Sequence, residues 1–200
     1  MLFHDLVLAV ASNPVVTRLV TGVPAFRRMA RRFVAGDTLD DAVQAIRDLH
    51  HLGLLCSLDH LGESVTDPAM ARRAAADYVA ALERMAQEGL PTHVSVKLTQ
   101  LGLDLDRDLC LENVRSILTK ARAVGSFVRI DMEGSAYAER TLGVYRDLRA
   151  GFDNVGVVVQ AYLLRSQADV ESLAASGANI RLCKGAYKEP ATIAFPRKED

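Results

Sequence analysis

From residue 54 onward the chain alternates short apolar runs, rich in β-branched residues, with longer amphipathic stretches. That is the pattern of repeated β-α units. Strands are predicted over residues 54–59, 93–98, 127–132, 156–161 and 179–184, each largely apolar, as expected for parallel strands covered on both faces. Between the first two, Asp67-Pro68 reads as an N-cap followed by proline at the first helical position, Tyr78, Leu82 and Met85 share one face, and Gly89 closes the helix. The same logic predicts helices over 111–124 (stopped by Gly125), over 137–150 (stopped by Gly151) and from Ser166 to Gly177, where Ser166 and Asp169 have capping-box spacing. Ahead of this array, residues 1–53 read as a helical lead-in, with Thr38 and Asp41 as another capping box and Gly53 ending its last helix.

Repeated β-α units build either an open doubly wound sheet or a closed barrel. A doubly wound dinucleotide domain carries G-x-G-x-x-G after its first strand, whereas here that strand runs into Asp59-His60-Leu61-Gly62-Glu63. The expected class is therefore α/β, of the (β/α)8 barrel type. The chain has 200 residues, short of the about 250 of a complete barrel, so residues 54–200 are expected to form an incomplete barrel of about five β/α units. Such a barrel leaves its first and fifth strands with open edges and is expected to fold poorly alone.

Composition narrows the function. Half of the residues are hydrophobic and 24% are charged, enough for a packed core. Twenty-four Lys and Arg balance 25 Asp and Glu, so no positive excess exists to hold nucleic acid. Cys56, Cys110 and Cys183 include no C-x-x-C pair, which fits a reducing cytoplasm better than a disulfide framework. The apolar run at residues 6–11 lacks a basic start and is cut by Asn13-Pro14, so neither a leader nor a membrane span is expected. Arg27, Arg28, Arg31 and Arg32 cluster at helical spacing beside Phe26, Met29 and Phe33. This composition suits peripheral contact with anionic lipid on the inner face of the cell membrane, or simply a solvated helix face, the simpler of the two.

The candidate chemistry lies where the strands end: Asp59 and Glu63, Lys97, Asp131 and Glu133, Gln160, Arg181 and Lys184. In a barrel these ends converge on one mouth. Taken singly, Lys97 reads as a snorkelling lysine and Asp131 as a helix cap. Together they suggest a buried pair of Lys97 with Asp131, since a buried charge is costly unless paired or used. No histidine cluster or serine elbow is present, so no metal is expected.

Read in order, Asp59-His60-Leu61-Gly62-Glu63, Ser95-Val96-Lys97-Leu98-Thr99, Arg129-Ile130-Asp131-Met132-Glu133, Gln160-Ala161-Tyr162 and Arg181-Leu182-Cys183-Lys184-Gly185-Ala186-Tyr187 resemble the signature strands of the proline dehydrogenase family, in its monofunctional bacterial form. The resemblance implies a distorted (β/α)8 barrel that uses FAD to oxidise L-proline to 1-pyrroline-5-carboxylate and passes the electrons to a membrane quinone. It implies catalytic roles for Asp131 and Arg181, the latter a permanent charge near the flavin, and substrate-binding roles for Lys97 and Tyr187. Met132, Gln160, Arg181, Lys184, Gly185 and Ala186 would hold the cofactor, and Glu63 would gate the site with an arginine supplied later in the family's chain. Lys188 and Cys183 depart from the residues common in the family, and the segment that carries that arginine would follow residue 200. The alternatives are a noncatalytic barrel fragment without the substrate-binding arginines and, at a distance, a Schiff-base aldolase using Lys97 or Lys184.

Overall fold

The computed structural model describes residues 34–197, so the arginine cluster at 27–32 lies outside the described residues. The chain divides into two compact units, Met1–Asp48 and Leu49–Asp200. Helix α1 (Leu39–His51) starts in the first and ends in the second. Its start is the reciprocal box expected from sequence: the Asp41 amide donates to Thr38 Oγ1 at 3.2 Å, and the Thr38 amide donates to Asp41 Oδ2 at 3.1 Å.

In the second unit the order is β1 (Cys56–Asp59), α2 (Pro68–Gln87), β2 (Thr92–Val96), α3 (Arg107–Ala123), β3 (Val128–Ile130), a 3-10 turn (Ser135–Tyr137), α4 (Ala138–Arg149), β4 (Val155–Gln160), α5 (Ser166–Ala175) and β5 (Ile180–Cys183). All five strands pair in parallel, in sequence order. Arg181 of β5 donates to Ser95 Oγ of β2 at 3.3 Å, across two intervening strands. A flat sheet would hold those strands about 14 Å apart, so the sheet is curled into a half-barrel.

Alternation along the strands separates two faces. Val94, Val96, Val128, Ile130, Val157 and Val159 are buried in the core with Tyr78 and Leu82 of α2, Val114, Ile117 and Leu118 of α3, and Leu142, Tyr145 and Leu148 of α4. The concave face instead carries Ser57, Ser95 and Arg181, joined by polar contacts, and Arg129, which donates to the Asn179 carbonyl. The expectation of strands apolar on both faces therefore holds on the helix side, and on the concave side at Val158 of β4. The strand edges are the weak part. β1 and β5 have no further strand beside them among the described residues, and Leu55 and Leu182 stand 86% and 62% exposed.

Local chemistry sets the helix ends. Asp67 accepts from the Ala69 amide at 2.8 Å with Pro68 behind it, as expected for α2. Helix α3 starts four residues earlier than predicted because Asp106 caps it, accepting from the Leu109 amide at 2.7 Å. The Ser166–Asp169 box does not form. Ser166 Oγ donates to the Gln160 carbonyl at 2.5 Å, while Asp169 is taken by Arg165 at 2.6 Å. Among the described residues, no helix is long and apolar enough to cross a membrane.

Candidate active site at the strand ends

The parallel direction of the strands puts all their carboxyl ends on one side, and the polar residues singled out in the sequence gather there. Asp59 ends β1 and Gln160 ends β4, Lys97 and Asp131 directly follow β2 and β3, and Arg181 lies within β5.

Lys97 is paired, but not with Asp131. Its Nζ donates to Asp59 Oδ2 at 2.9 Å, and its side chain is only 15% exposed. Lys97 has acidic neighbours on both sides of β2, and it leans toward β1. Burial pulls the Lys97 ammonium down, yet the Asp59 hydrogen bond and charge, with Asp131 and Glu63 further off, outweigh it and hold the group above its ordinary value. A Schiff-base nucleophile needs the opposite shift, so this arrangement disfavours the aldolase reading for Lys97.

Asp131 is bonded by Arg181 Nη2 across the concave face. Burial pushes the Asp131 carboxyl up, while the Arg181 charge draws it back in part. The Arg129 guanidinium, stacked over Phe127, lies beside this pair and donates to the Asn179 carbonyl at 2.8 Å. Two ion pairs of alternating origin thus span the mouth, β1 with β2 and β3 with β5.

A second network lies deeper. Glu133 is buried, accepting from the Thr99 amide at 3.1 Å and from Thr99 Oγ1 at 2.5 Å. Burial raises its carboxyl above the ordinary range, against the pull of those two bonds. Gln160 is buried as well. Its Nε2 donates to the Glu133 carbonyl at 2.7 Å and its Oε1 accepts from the Ala186 amide at 3.2 Å. Met132 is buried between Asp131 and Glu133.

The segment after β5 folds over the end of β4. The Tyr162 amide donates to the Lys184 carbonyl at 3.0 Å, Tyr162 Oη donates to the Tyr187 carbonyl at 2.9 Å, and the Phe195 amide donates to the Tyr162 carbonyl at 2.8 Å. Gly185 has φ +118°, and a Cβ there would lie 2.1 Å from the Tyr162 ring, so backbone and neighbour alike demand glycine. Tyr187 Oη donates to Glu63 Oε1 at 3.2 Å, which brings the expected pocket wall and the expected gating residue into contact. Burial, and then the Glu63 charge, raise the Tyr187 phenol. Glu189 accepts from the Ser135 amide at 2.7 Å and from Ser135 Oγ at 2.6 Å, tying the same segment to the turn after β3.

The residues present suit a flavin in kind. Gln160 has spent one amide hydrogen and its oxygen, leaving a neutral N–H donor at the end of β4. Beside it stand the Arg181 charge and the apolar Met132. Sequence reading missed Asp59 as the partner of Lys97, the contribution of Tyr78 beneath it, and the anchors Arg129 and Glu189. A buried tyrosine one helical face from the strand end was the only available signal, because the other contacts cross between strands far apart in sequence.

Comparison with known proteins agrees with the geometry. The family model described as proline dehydrogenase matches residues 42–194. Proline dehydrogenase 1 of Bacillus subtilis strain 168 is 41% identical over 169 residues, covering 84% of this chain and 56% of the relative. The proline dehydrogenase of Deinococcus radiodurans is 39% identical, covering 100% of this chain and 65% of the relative. The crystal structure of proline utilization A (PutA) from Bdellovibrio bacteriovorus inactivated by N-propargylglycine superposes with a TM-score of 0.73 at 26% identity, over 81% of this chain and 20% of that one. The chain therefore spans between 56% and 65% of the length of these curated relatives. With the family model matching most of the chain and the strand-end residues gathered on one mouth, this chain belongs to the proline dehydrogenase family.

Proposed function

We propose that the chain carries the strand-end half of a site that oxidises L-proline to 1-pyrroline-5-carboxylate with FAD as cofactor and a quinone as the eventual electron acceptor. The observation that carries this reading is the pairing of two cations with two carboxylates at the mouth, Lys97 with Asp59 and Arg181 with Asp131, above a buried neutral amide. Proline is a zwitterion, and a site for it needs one positive group for its carboxylate and a negative field near its amine.

In this reading Lys97, kept charged by Asp59, attracts the proline carboxylate. Asp131, held in place by Arg181, supplies the negative field on the other side of the mouth. FAD supplies a two-electron acceptor for the hydride leaving proline C5, while the amine loses a proton and the C5–N bond becomes double. Gln160, Met132 and Arg181 would hold the ring, with Arg181 favouring accumulated negative charge by its permanent positive one. Lys184, Gly185 and Ala186 would follow the rest of the cofactor, and Tyr187 with Glu63 would wall and gate the pocket. Residues 54–200 would form the partial barrel and 1–53 the lead-in.

An anaerobic visible spectrum of the purified chain, reconstituted with FAD and then given L-proline, tests the reading. Loss of the oxidised flavin band is the expected result. Flavin that fails to bind, or binds and stays oxidised with proline present, would refute the activity for these 200 residues and favour a noncatalytic role.

A further inference from the structure

Tyr78 is among the most completely buried side chains, 1% exposed, on the face of α2 that packs against the sheet. Its hydroxyl nevertheless sits within reach of three acceptors: Asp59 Oδ1 at 3.2 Å, the His60 carbonyl at 3.3 Å and Gln100 Oε1 at 3.3 Å. The His60 amide donates to the same oxygen at 3.3 Å. A phenol has one proton to give. The His60 carbonyl is already served by Gln100 Nε2 at 3.1 Å, and of the remaining two acceptors Asp59 is the carboxylate, bonded in turn to the Lys97 ammonium, so the charge-assisted bond takes the proton. The other oxygen of that carboxylate receives Lys97 at 2.9 Å.

The chain of contacts therefore runs from the core outward: phenol, carboxylate, ammonium. A phenylalanine would fill the same space in α2 without burying a hydroxyl. The Asp59 carboxylate is part-exposed and, without the phenol, free to turn toward water.

We propose that Tyr78 and Asp59 are positioning residues for Lys97: the Tyr78 hydroxyl fixes the Asp59 carboxylate, and the carboxylate fixes the ammonium that meets a carboxylate-bearing substrate. This rests on the reading of Lys97 as the anion-binding group given above. Tyr78 acts through Asp59 and touches no reactant. The same hydroxyl also accepts from the His60 amide in the loop after β1, so a purely structural role must be told apart from this one.

Amine acylation does so without cofactor or substrate. The full chain is treated with limiting acetic anhydride at one pH, and the labelling of Lys97 is read by peptide mass spectrometry relative to Lys120 of α3, which is paired with Glu83 and reports general loosening. Asp59→Asn is expected to raise the Lys97 to Lys120 ratio at least fivefold, and Tyr78→Phe about two- to threefold. The double variant is expected to match Asp59→Asn alone, because the phenol works through the carboxylate.

A Tyr78→Phe ratio equal to wild type, or a double variant that multiplies the two single effects, overturns the proposal. Should Tyr78→Phe not fold, an unchanged ratio in Asp59→Asn overturns it alone. A chain that bleaches with proline should further show a raised half-saturating proline concentration in Tyr78→Phe with an unchanged limiting rate, a split that general destabilisation would not give. Because labelling needs neither FAD nor proline, absence of proline oxidation would sink the function proposed above and leave this inference standing, while an unchanged ratio would do the reverse.

Discussion

Gly185→Ala should loosen the segment after β5 while leaving the sheet intact. The residue has φ +118°, where an alanine is strained by about 1–3 kcal/mol. Its Cβ would also meet Cδ1, Cε1 and Cγ of Tyr162 at 2.1, 2.2 and 2.7 Å, so the ring has to shift to make room. Overpacking of that kind costs about 1–3 kcal/mol. Displacing the ring also forfeits the Tyr162 hydroxyl bond to the Tyr187 carbonyl, a further ~1 kcal/mol. Even the low end, about 3 kcal/mol, corresponds to more than a hundredfold in a local opening equilibrium.

The cost falls on one segment because the anchors that Gly185 adjoins are those of residues 184–195 onto β4 and its loop, not those of the β1–β4 core. Amide hydrogen exchange, read by mass spectrometry, should show peptides covering 184–195 losing protection by about a hundredfold or reaching the unprotected limit, with α3 peptides unchanged. Gly143→Ala in α4 is the matched control. An added Cβ there meets nothing within 4 Å, so the helix should gain about 0.5–1 kcal/mol and the urea midpoint should rise. Unchanged exchange over 184–195, or two alanine substitutions that shift stability in the same direction, would refute the reasoning.

Three further outcomes follow from the buried polar groups. Glu133 has a folded carboxyl raised above its ordinary 4.5, so between that value and the folded one the native state binds more protons than the unfolded state, and stability falls as pH rises, by at most about 1.4 kcal/mol per pH unit. Urea titrations upward from about pH 4 should show stability falling more steeply with pH in wild type than in Glu133→Gln. Thr141 Oγ1 is buried without a hydrogen-bond partner among the described residues, so Thr141→Val should raise stability by about 1 kcal/mol, read as a higher melting temperature. Arg181→Met removes the charge that draws the Asp131 carboxyl down, so its titration, followed by carbon-13 NMR, should move further up, and an unmoved midpoint would deny the ion pair.

The sequence made the strands legible because each is an apolar run bounded by turn residues, and the capped helices legible where a side chain had no competing partner. Asp67 behaves as its position suggests, accepting from the Ala69 amide two residues on, a contact made within its own turn. Ser166 does not, because the Gln160 carbonyl lies within 2.5 Å and claims its hydroxyl, a contact that exists only once β4 and α5 are joined. The gathering of these polar residues at one end of the sheet was equally readable, since direction along a parallel strand fixes which end a residue occupies. Its internal pairing was not. Lys97 has acidic neighbours on either side of β2, and one-dimensional order says nothing about which way it leans. Arg181 reaches Asp131 and Ser95 only because the sheet curls, a property of all the strands together.

The strictly sequential strand order has a kinetic side. Cys56 pairs with Thr92, Val94 with Val128, Val128 with Val155 and Val157 with Ile180, so the span of chain closed by each pairing shortens along the sequence. The difference in closure entropy between the first and last is only about 0.4 kcal/mol, and each of these four pairings joins strands that are neighbours in the sequence. Each β-α unit can therefore add to the edge left by the one before it, in the order in which a ribosome delivers them. Assembly of this kind is close to one-dimensional growth, in which a damaged unit stalls its successors but leaves its predecessors paired.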